Sequence, residues 1–341
     1  MTTANGAPAE RATAPPLPPL AGASAGLSLL RDRRIIMLAV PVTAYLALTG
    51  YVALGSIGIA LAVAVSVLLV MFGPRIPAEA MLSVYRARAL SAGQGSSLRE
   101  IVSTVSARAG LAEPPALAII PSLAIGAFSV GHGPRKAILV TEGLLRRHSL
   151  PEIAAIVAHE IAHIRASDLP LFALADAVTR AAQAMFTIGA ALTLVSGVLW
   201  LFAEPAFPWL PIALLLAAPL LSSQLQLAMP REHDYLADLD ASGLIGDRGL
   251  VAKVAAATSP GCGTPLDDIR LPVPQRRVPL PSPLRAHIDG PARAARLLAA
   301  KTPPDGDTLP PLRLVDGPLI SLAGVGPVEM RPRNRWPGVW F

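Results

Sequence analysis

The sequence predicts a helical membrane part of four transmembrane helices in two hairpins, combined with a water-soluble domain at the membrane surface. Three observations carry this. The composition is 52% hydrophobic and only 15% charged, with a mean hydropathy of +0.52, whereas a soluble domain is about one-quarter charged. Two long apolar regions, residues 35–72 and 181–228, lie on either side of a stretch polar enough to fold in water. That stretch contains a segment of helical periodicity with two histidines four residues apart.

Residues 1–30 are Ala, Pro, Thr and Gly with few large apolar side chains, and read as a disordered tail. Residues 31–73 form the first hairpin. Arg31, Arg33 and Arg34 precede residues 35–72, which carry no charge. One crossing takes about 20 residues, so this run makes two short spans, with a turn near Gly50, Gly55, Ser56 and Gly58. It is too long for the apolar core of a signal peptide. Arg75, Arg86 and Arg88 follow, so the positive-inside rule sets both ends of the hairpin in the cytoplasm.

Residues 74–180 are then the first part of a cytoplasmic domain. Residues 181–229 form a second hairpin, with spans at 181–202 and 207–228. They are parted by Glu204, Pro205 and Pro208, and flanked by Trp200, Phe202, Phe207 and Trp209 as an aromatic belt. A buried helical pair in a soluble domain is the alternative reading. Residues 230–301 complete the domain with a helical stretch near 234–257, a Pro-rich linker at 259–285 and a short amphipathic helix at 291–301. Residues 302–341 are a Pro-rich tail. Net charge +6 and a pI near 10.1 read, beside such apolar runs, as basic cytoplasmic flanks, and no nucleic-acid partner is expected. The lone Cys262 excludes an internal disulfide.

The chemistry lies between the hairpins. Ser149 and Glu152 have capping-box spacing, and Pro151 suits a first helical turn. Ile153, Ile156, Val157 and Ile164 recur with helical period. His159 and His163 therefore share one helix face, where two imidazoles can grip one ion. Glu160 stands beside the first and can reach a water on that ion. This is the H-E-x-x-H arrangement of zinc peptidases; two satisfied core histidines are the plainer alternative. A tetrahedral zinc with one open position needs a third protein ligand. A membrane hairpin returns to the side it left, so the segment Pro230-Arg231-Glu232-His233-Asp234-Tyr235-Leu236-Ala237-Asp238 can meet the two histidines. Asp234 and Asp238 share a helix face. One can bind zinc while the other holds a ligand histidine by its second ring nitrogen. Glu232 is a rival ligand with no acid four residues later.

At these motifs the sequence resembles the HtpX-like membrane zinc metalloproteases, relatives of the CAAX prenyl endopeptidases, over roughly residues 75–300. Residues 121–131 (Pro-Ser-Leu-Ala-Ile-Gly-Ala-Phe-Ser-Val-Gly) look like the family's Asn-Ala-Phe-Ala-x-Gly strand. Residues 137–145 look like the strand and turn before the zinc helix. His159-Glu160-Ile-Ala-His163 with Asp168 matches closely, and a pair of spans between the two metal motifs is typical of this branch. The resemblance implies an α+β zincin-like (gluzincin) catalytic domain holding one Zn2+ per chain. It implies His159, His163 and Asp234 as metal ligands (Glu232 remaining the alternative), Glu160 as general base, and Asp238 and Asp168 as carboxylates supporting the ligands. Gly126, Ala127, Phe128 and Ser129 become the strand along which substrate lies. Arg231 and His233 are candidates for stabilising the oxyanion.

The implied function is an integral-membrane endopeptidase of the cell (inner or plasma) membrane, multi-pass, with its catalytic domain in the cytoplasm. It would cleave polypeptide substrates, membrane or misfolded proteins, in contact with the lipid bilayer. Two departures stand out: Asp234 where the family has Glu, and Gly126 where it has Asn. They motivate the main alternative, a catalytically impaired pseudoprotease acting as a binding scaffold. A small four-span transporter subunit is the other, but the spans carry almost no central polar residues.

Overall fold

The computed structural model describes residues 32–90, 95–122, 125–203, 208–257, 290–300 and 309–312. The tail at 1–30, the break at 204–207, the linker at 259–285 and most of 302–341 lie outside the described residues.

Helices α1 (Arg33–Leu54) and α2 (Ser56–Phe72) make the first hairpin, separated by Gly55 alone. Gly55 has φ +64°, a left-handed turn that suits glycine. Gly50 and Gly58 allow the two backbones to touch, since a Cβ on Gly58 would lie 1.8 Å from the Gly50 carbonyl oxygen. Asp32 caps α1, its Oδ1 accepting from the Arg34 amide at 2.9 Å. The second apolar region becomes α7 (Leu169–Ala203) and α8 (Trp209–Leu227). Among the described residues, three helices are long and apolar enough to cross a membrane, in α1, α7 and α8. The second span expected from the sequence, α2, has 17 residues, or about 26 Å at 1.5 Å per residue, slightly short of a bilayer core of about 30 Å. Leu54, Ile57, Leu61, Val67 and Phe72, with Ile188, Leu194, Trp200 and Trp209, are exposed. So much outward apolar surface is stable in lipid and not in water.

α7 starts twelve residues earlier than the expected span at 181, at Leu169. The reason is packing: Leu171, Phe172, Leu174, Ala175 and Val178 bury against Ile35 and Leu38 of α1. The helix is thus half domain and half membrane, and residue 180 marks no structural boundary.

The rest of the domain has α3 (Ala78–Tyr85), β1 (Arg88–Ala89), α4 (Ser96–Arg108), β2 (Ala116–Ile120), β3 (Ala127–His132), β4 (Arg135–Thr141), α5 (Glu142–Arg147), α6 (Leu150–Arg165), α9 (Glu232–Ile245), α10 (Arg248–Ala257) and α11 (Gly290–Ala299). The stretch expected as one helix at 234–257 is two, α9 and α10. It breaks at Gly246, whose φ is +75° and whose Cβ position lies 2.5 Å from the Leu309 carbonyl oxygen. The strands form one sheet ordered β1-β2-β4-β3, with β2 and β4 parallel and the outer pairs antiparallel. Strand alternation gives the sheet two apolar faces. Ile119, Ile138 and Val140 join α4, α6, α9 and α10 in the main core, while Ile120, Phe128, Val130 and Leu139 pack on Met81 and Tyr85 of α3. β3 is an edge strand among the described residues, running beside α6.

Candidate metal centre

α6 opens on the capping box foreseen in the sequence: Ser149 and Glu152 bond reciprocally, the Ser149 amide donating to Glu152 Oε2 at 3.0 Å. Lys253 of α10 reaches the other carboxylate oxygen at 2.9 Å. With His148 these donors lower the Glu152 pKa to about 2. From that start the helix carries His159, Glu160 and His163 into the core, all buried.

The helix end then shapes the site. Ser167 adopts φ +61°. The Asp168 amide donates to the His163 carbonyl at 3.1 Å, and the Ser167 amide to the Ile164 carbonyl at 3.4 Å. This is the Schellman closure of a helix. It folds Asp168 back under the last turn, so that Asp168 Oδ2 lies 2.9 Å from His163 Nδ1. His159 Nδ1 is likewise 2.9 Å from Asp238 Oδ1. Each imidazole therefore faces a carboxylate on Nδ1, and the two Nε2 atoms converge, 3.1 Å apart.

Asp234 completes the cluster. Its Oδ1 lies 3.8 Å from His163 Nε2, and one ligand atom from each of His159, His163 and Asp234 fits within 4.8 Å of the other two. α9 brings Asp234, Ala237, Asp238 and Ala241 to one face at spacings of three and four. Ala155, Ala158 and Ala162 are buried on α6. Alanine on both helices permits close approach, which lets a side chain as short as aspartate reach the histidines. Glu232, by contrast, is exposed and held by Arg296 at 2.9 and 3.2 Å. His233 is buried, with Nε2 3.4 Å from Asp234 Oδ1. Burial lowers its pKa, although Asp234 opposes this.

The donor set suits a cation. With both Nδ1 atoms turned to carboxylates, the two Nε2 atoms are left to share one positive centre, a proton or a metal ion. Burial disfavours a charged His163, yet Asp168, Glu160 and Asp234 together raise its pKa. Burial would raise the Asp238 pKa; His159 and Arg293 outweigh it and bring it down to about 2.

Glu160 does not join the ligand cluster. Its Oε2 accepts the Ser129 amide at 2.7 Å. The tight turn at residues 133–134 pairs His132 with Arg135, and the Thr141 amide donates to the Gly126 carbonyl at 3.0 Å. By antiparallel alternation the backbone groups of residues 126, 128, 130 and 132 face β4, and those of 127, 129 and 131 face outward. Of the four residues expected to line substrate, Ala127 and Ser129 thus turn backbone groups away from β4, Ala127 half-buried and Ser129 wholly buried with its amide held by Glu160. Gly126 is bonded to Thr141, and Phe128 is buried edge-on against Tyr85, ring centroids 4.9 Å apart.

Two residues that sequence reasoning missed support the centre. Arg293 of α11 donates to both oxygens of Asp238, at 2.6 and 2.8 Å. Gly290 makes this possible, because a Cβ there would meet the Ala255 carbonyl oxygen at 2.3 Å and hold α11 away from α10. Arg34 donates to Asp168 Oδ1 at 2.6 Å. The one signal available was an arginine in an amphipathic helix and another at a membrane border, and both have ordinary surface explanations.

Apolar helices with unclothed faces, and a buried histidine pair beside a carboxylate, define a membrane metallopeptidase. Residues 93–301 match the sequence profile of peptidase family M48, and the chain belongs to that family. It is similar to the protease HtpX homolog of Pyrococcus furiosus, 31% identical over 213 residues that cover 60% of this chain and 70% of that one. The protease HtpX homolog of Pyrococcus abyssi is 31% identical over 220 residues, 62% of this chain and 73% of that one. That of Desulfatibacillum aliphaticivorans is 30% identical over 245 residues, 68% and 76%. The resemblance read from the motifs is thereby shown: this is an HtpX-like membrane protease of family M48. No solved structure matches the chain significantly.

Proposed function

We propose that the protein is a zinc-dependent endopeptidase that cleaves membrane or misfolded polypeptides at the cytoplasmic face of the cell membrane. The observation that carries this reading is the convergence of His159, His163 and Asp234 at the buried helix turn that carries Glu160. His159, His163 and Asp234 would hold the ion. When bound there, zinc would bring the pKa of a water to about 7 and polarise the scissile carbonyl. Glu160 takes the proton from the attacking water and delivers it to the leaving amine. The Ser129 amide keeps the Glu160 carboxylate aimed at the cluster. Asp238 and Asp168 fix the ring orientation of the two histidines and keep their outer nitrogens unprotonated for the ion. Substrate adds as a further strand along β3, beginning at the outward groups of Ala127. That geometry reads backbone, so it fits an extended chain of loosely defined sequence.

The test is Glu160→Gln in the full chain, assayed in detergent on an unfolded protein substrate. Cleavage should fall by roughly 10²–10⁴-fold while bound zinc stays at the wild-type level. Undiminished cleavage rejects the assigned base. Zinc absent from the wild type favours the scaffold alternative.

A further inference from the structure

We propose that Arg34, at the entrance of the first membrane helix, is a positioning residue of the metal centre. The inference rests on the reading of His163 as a ligand. Arg34 lies at the start of α1, 134 residues from Asp168 in the chain. Its guanidinium is a fork between two carboxylates. Nη1 donates to Asp168 Oδ1 at 2.6 Å, while Nε and Nη2 donate to Asp32 Oδ1 and Oδ2, each at 3.2 Å. Asp32 in turn caps α1. The other oxygen of Asp168 faces His163 Nδ1 at 2.9 Å. A continuous chain of charged hydrogen bonds therefore runs from the helix cap through Arg34 and Asp168 to the imidazole.

A second, independent contact leads from α1 to the same ring. Ile35 and Leu38, both fully buried, pack with Phe172 of α7. The Phe172 ring stands edge-on to His163, centroids 5.0 Å apart. One turn of α1 thus backs His163 on two sides, with charge behind Nδ1 and with apolar packing behind the ring face. The neighbouring Arg33 is exposed to the surroundings and carries the same charge at the same membrane border. Positive-inside orientation needs the charges of both arginines equally; orientation of His163 needs only Arg34.

The experiment uses the full chain in detergent, loaded with Co2+ in place of zinc, as wild type, Arg34→Ala, Arg34→Lys and Arg33→Ala. The readouts are the visible d–d spectrum of cobalt and the rate of metal release to a chelator. Loss of a group that orients a metal ligand costs about 10–100-fold in affinity. Arg34→Ala should therefore release cobalt about tenfold faster or more, with an altered spectrum. Arg34→Lys, which restores the charge without the fork, should fall between it and wild type. Arg33→Ala should match wild type. If Arg34→Ala does not accumulate, Arg34→Lys carries the same test. Release and spectrum unchanged in the Arg34 variants, or changed equally in Arg33→Ala, overturns the proposal. A wild type that takes up no cobalt rejects the metal-site reading itself, and the two failures are thus distinct.

Discussion

Asp234 is one methylene shorter than the glutamate of the motif it resembles, and its surroundings explain why that is workable. Ala237 and Ala241 on α9, with Ala158 and Ala162 on α6, are almost wholly buried, so the two helices lie close and the gap is sized for an aspartate. Restoring glutamate should not help. Asp234→Glu should bind zinc no more tightly than wild type in competition with a chelator, and Asp234→Asn should bind it far more weakly. Tighter binding by the glutamate variant would contradict the close-approach argument. Asp238 makes a stronger prediction. It is buried, faces His159 and receives both bonds of Arg293. Breaking a buried pair of this kind costs about 3–5 kcal/mol. Arg293→Ala should lower stability on that scale in a denaturant titration and weaken zinc binding with it. At this scale the sequence pointed to the residues of the cluster, His159, His163 and Asp234, but not to the cations behind them. H-E-x-x-H is a local pattern on one helix turn, whereas Arg34 and Arg293 reach the site only after three remote segments have packed.

The helix that carries the histidines is controlled from its two ends. At its start, the depressed Glu152 has a clear pH consequence. Its folded-state pKa is about 2 against an ordinary 4.5. Its contribution to stability is therefore complete above the unfolded value and is lost as pH falls from about 4.5 towards 2. Glu152→Gln should lower stability at neutral pH and flatten its fall across that acid window, as followed by thermal melting at several pH values. At its end, Ser167 holds a left-handed conformation that costs a residue with a Cβ about 1 kcal/mol. Ser167→Gly should raise the melting temperature, and Ser167→Val should lower it and loosen metal binding through Asp168. α6 was legible because its cap, proline and apolar period agree. The strand at 126–131 and the one before α6 were legible from the motifs. Their order in the sheet was not, because β2 and β4 pair across an intervening hairpin strand that no local pattern announces. The start of α7 was misplaced for a similar reason. Residues 169–180 read as part of the cytoplasmic domain, yet their apolar side packs on α1.

In the molecule as a whole, the second apolar region, α7 and α8, lies in the chain between the segments that share the main core. The positions of the apolar regions followed from run lengths and charge alone. The exact place of the first turn did not, since Gly55 is one of four small residues that could have set it. Orientation has a direct check, because Cys262 is the only cysteine in the chain. With residues 230–301 in the cytoplasm, a membrane-impermeant maleimide should label Cys262 in inverted vesicles and leave it unlabelled in intact cells. Labelling from outside would reverse the topology. The central claim is that α6 and α9, separated by a membrane hairpin, together hold one catalytic ion. Zinc-edge X-ray absorption of the full chain in detergent tests it most directly. The account predicts one zinc per chain, with two imidazole nitrogens and a carboxylate oxygen at about 2.0–2.2 Å, and loss of that oxygen in Asp234→Ala. A full chain that binds no zinc, or whose zinc shell is unchanged in Asp234→Ala, would contradict it.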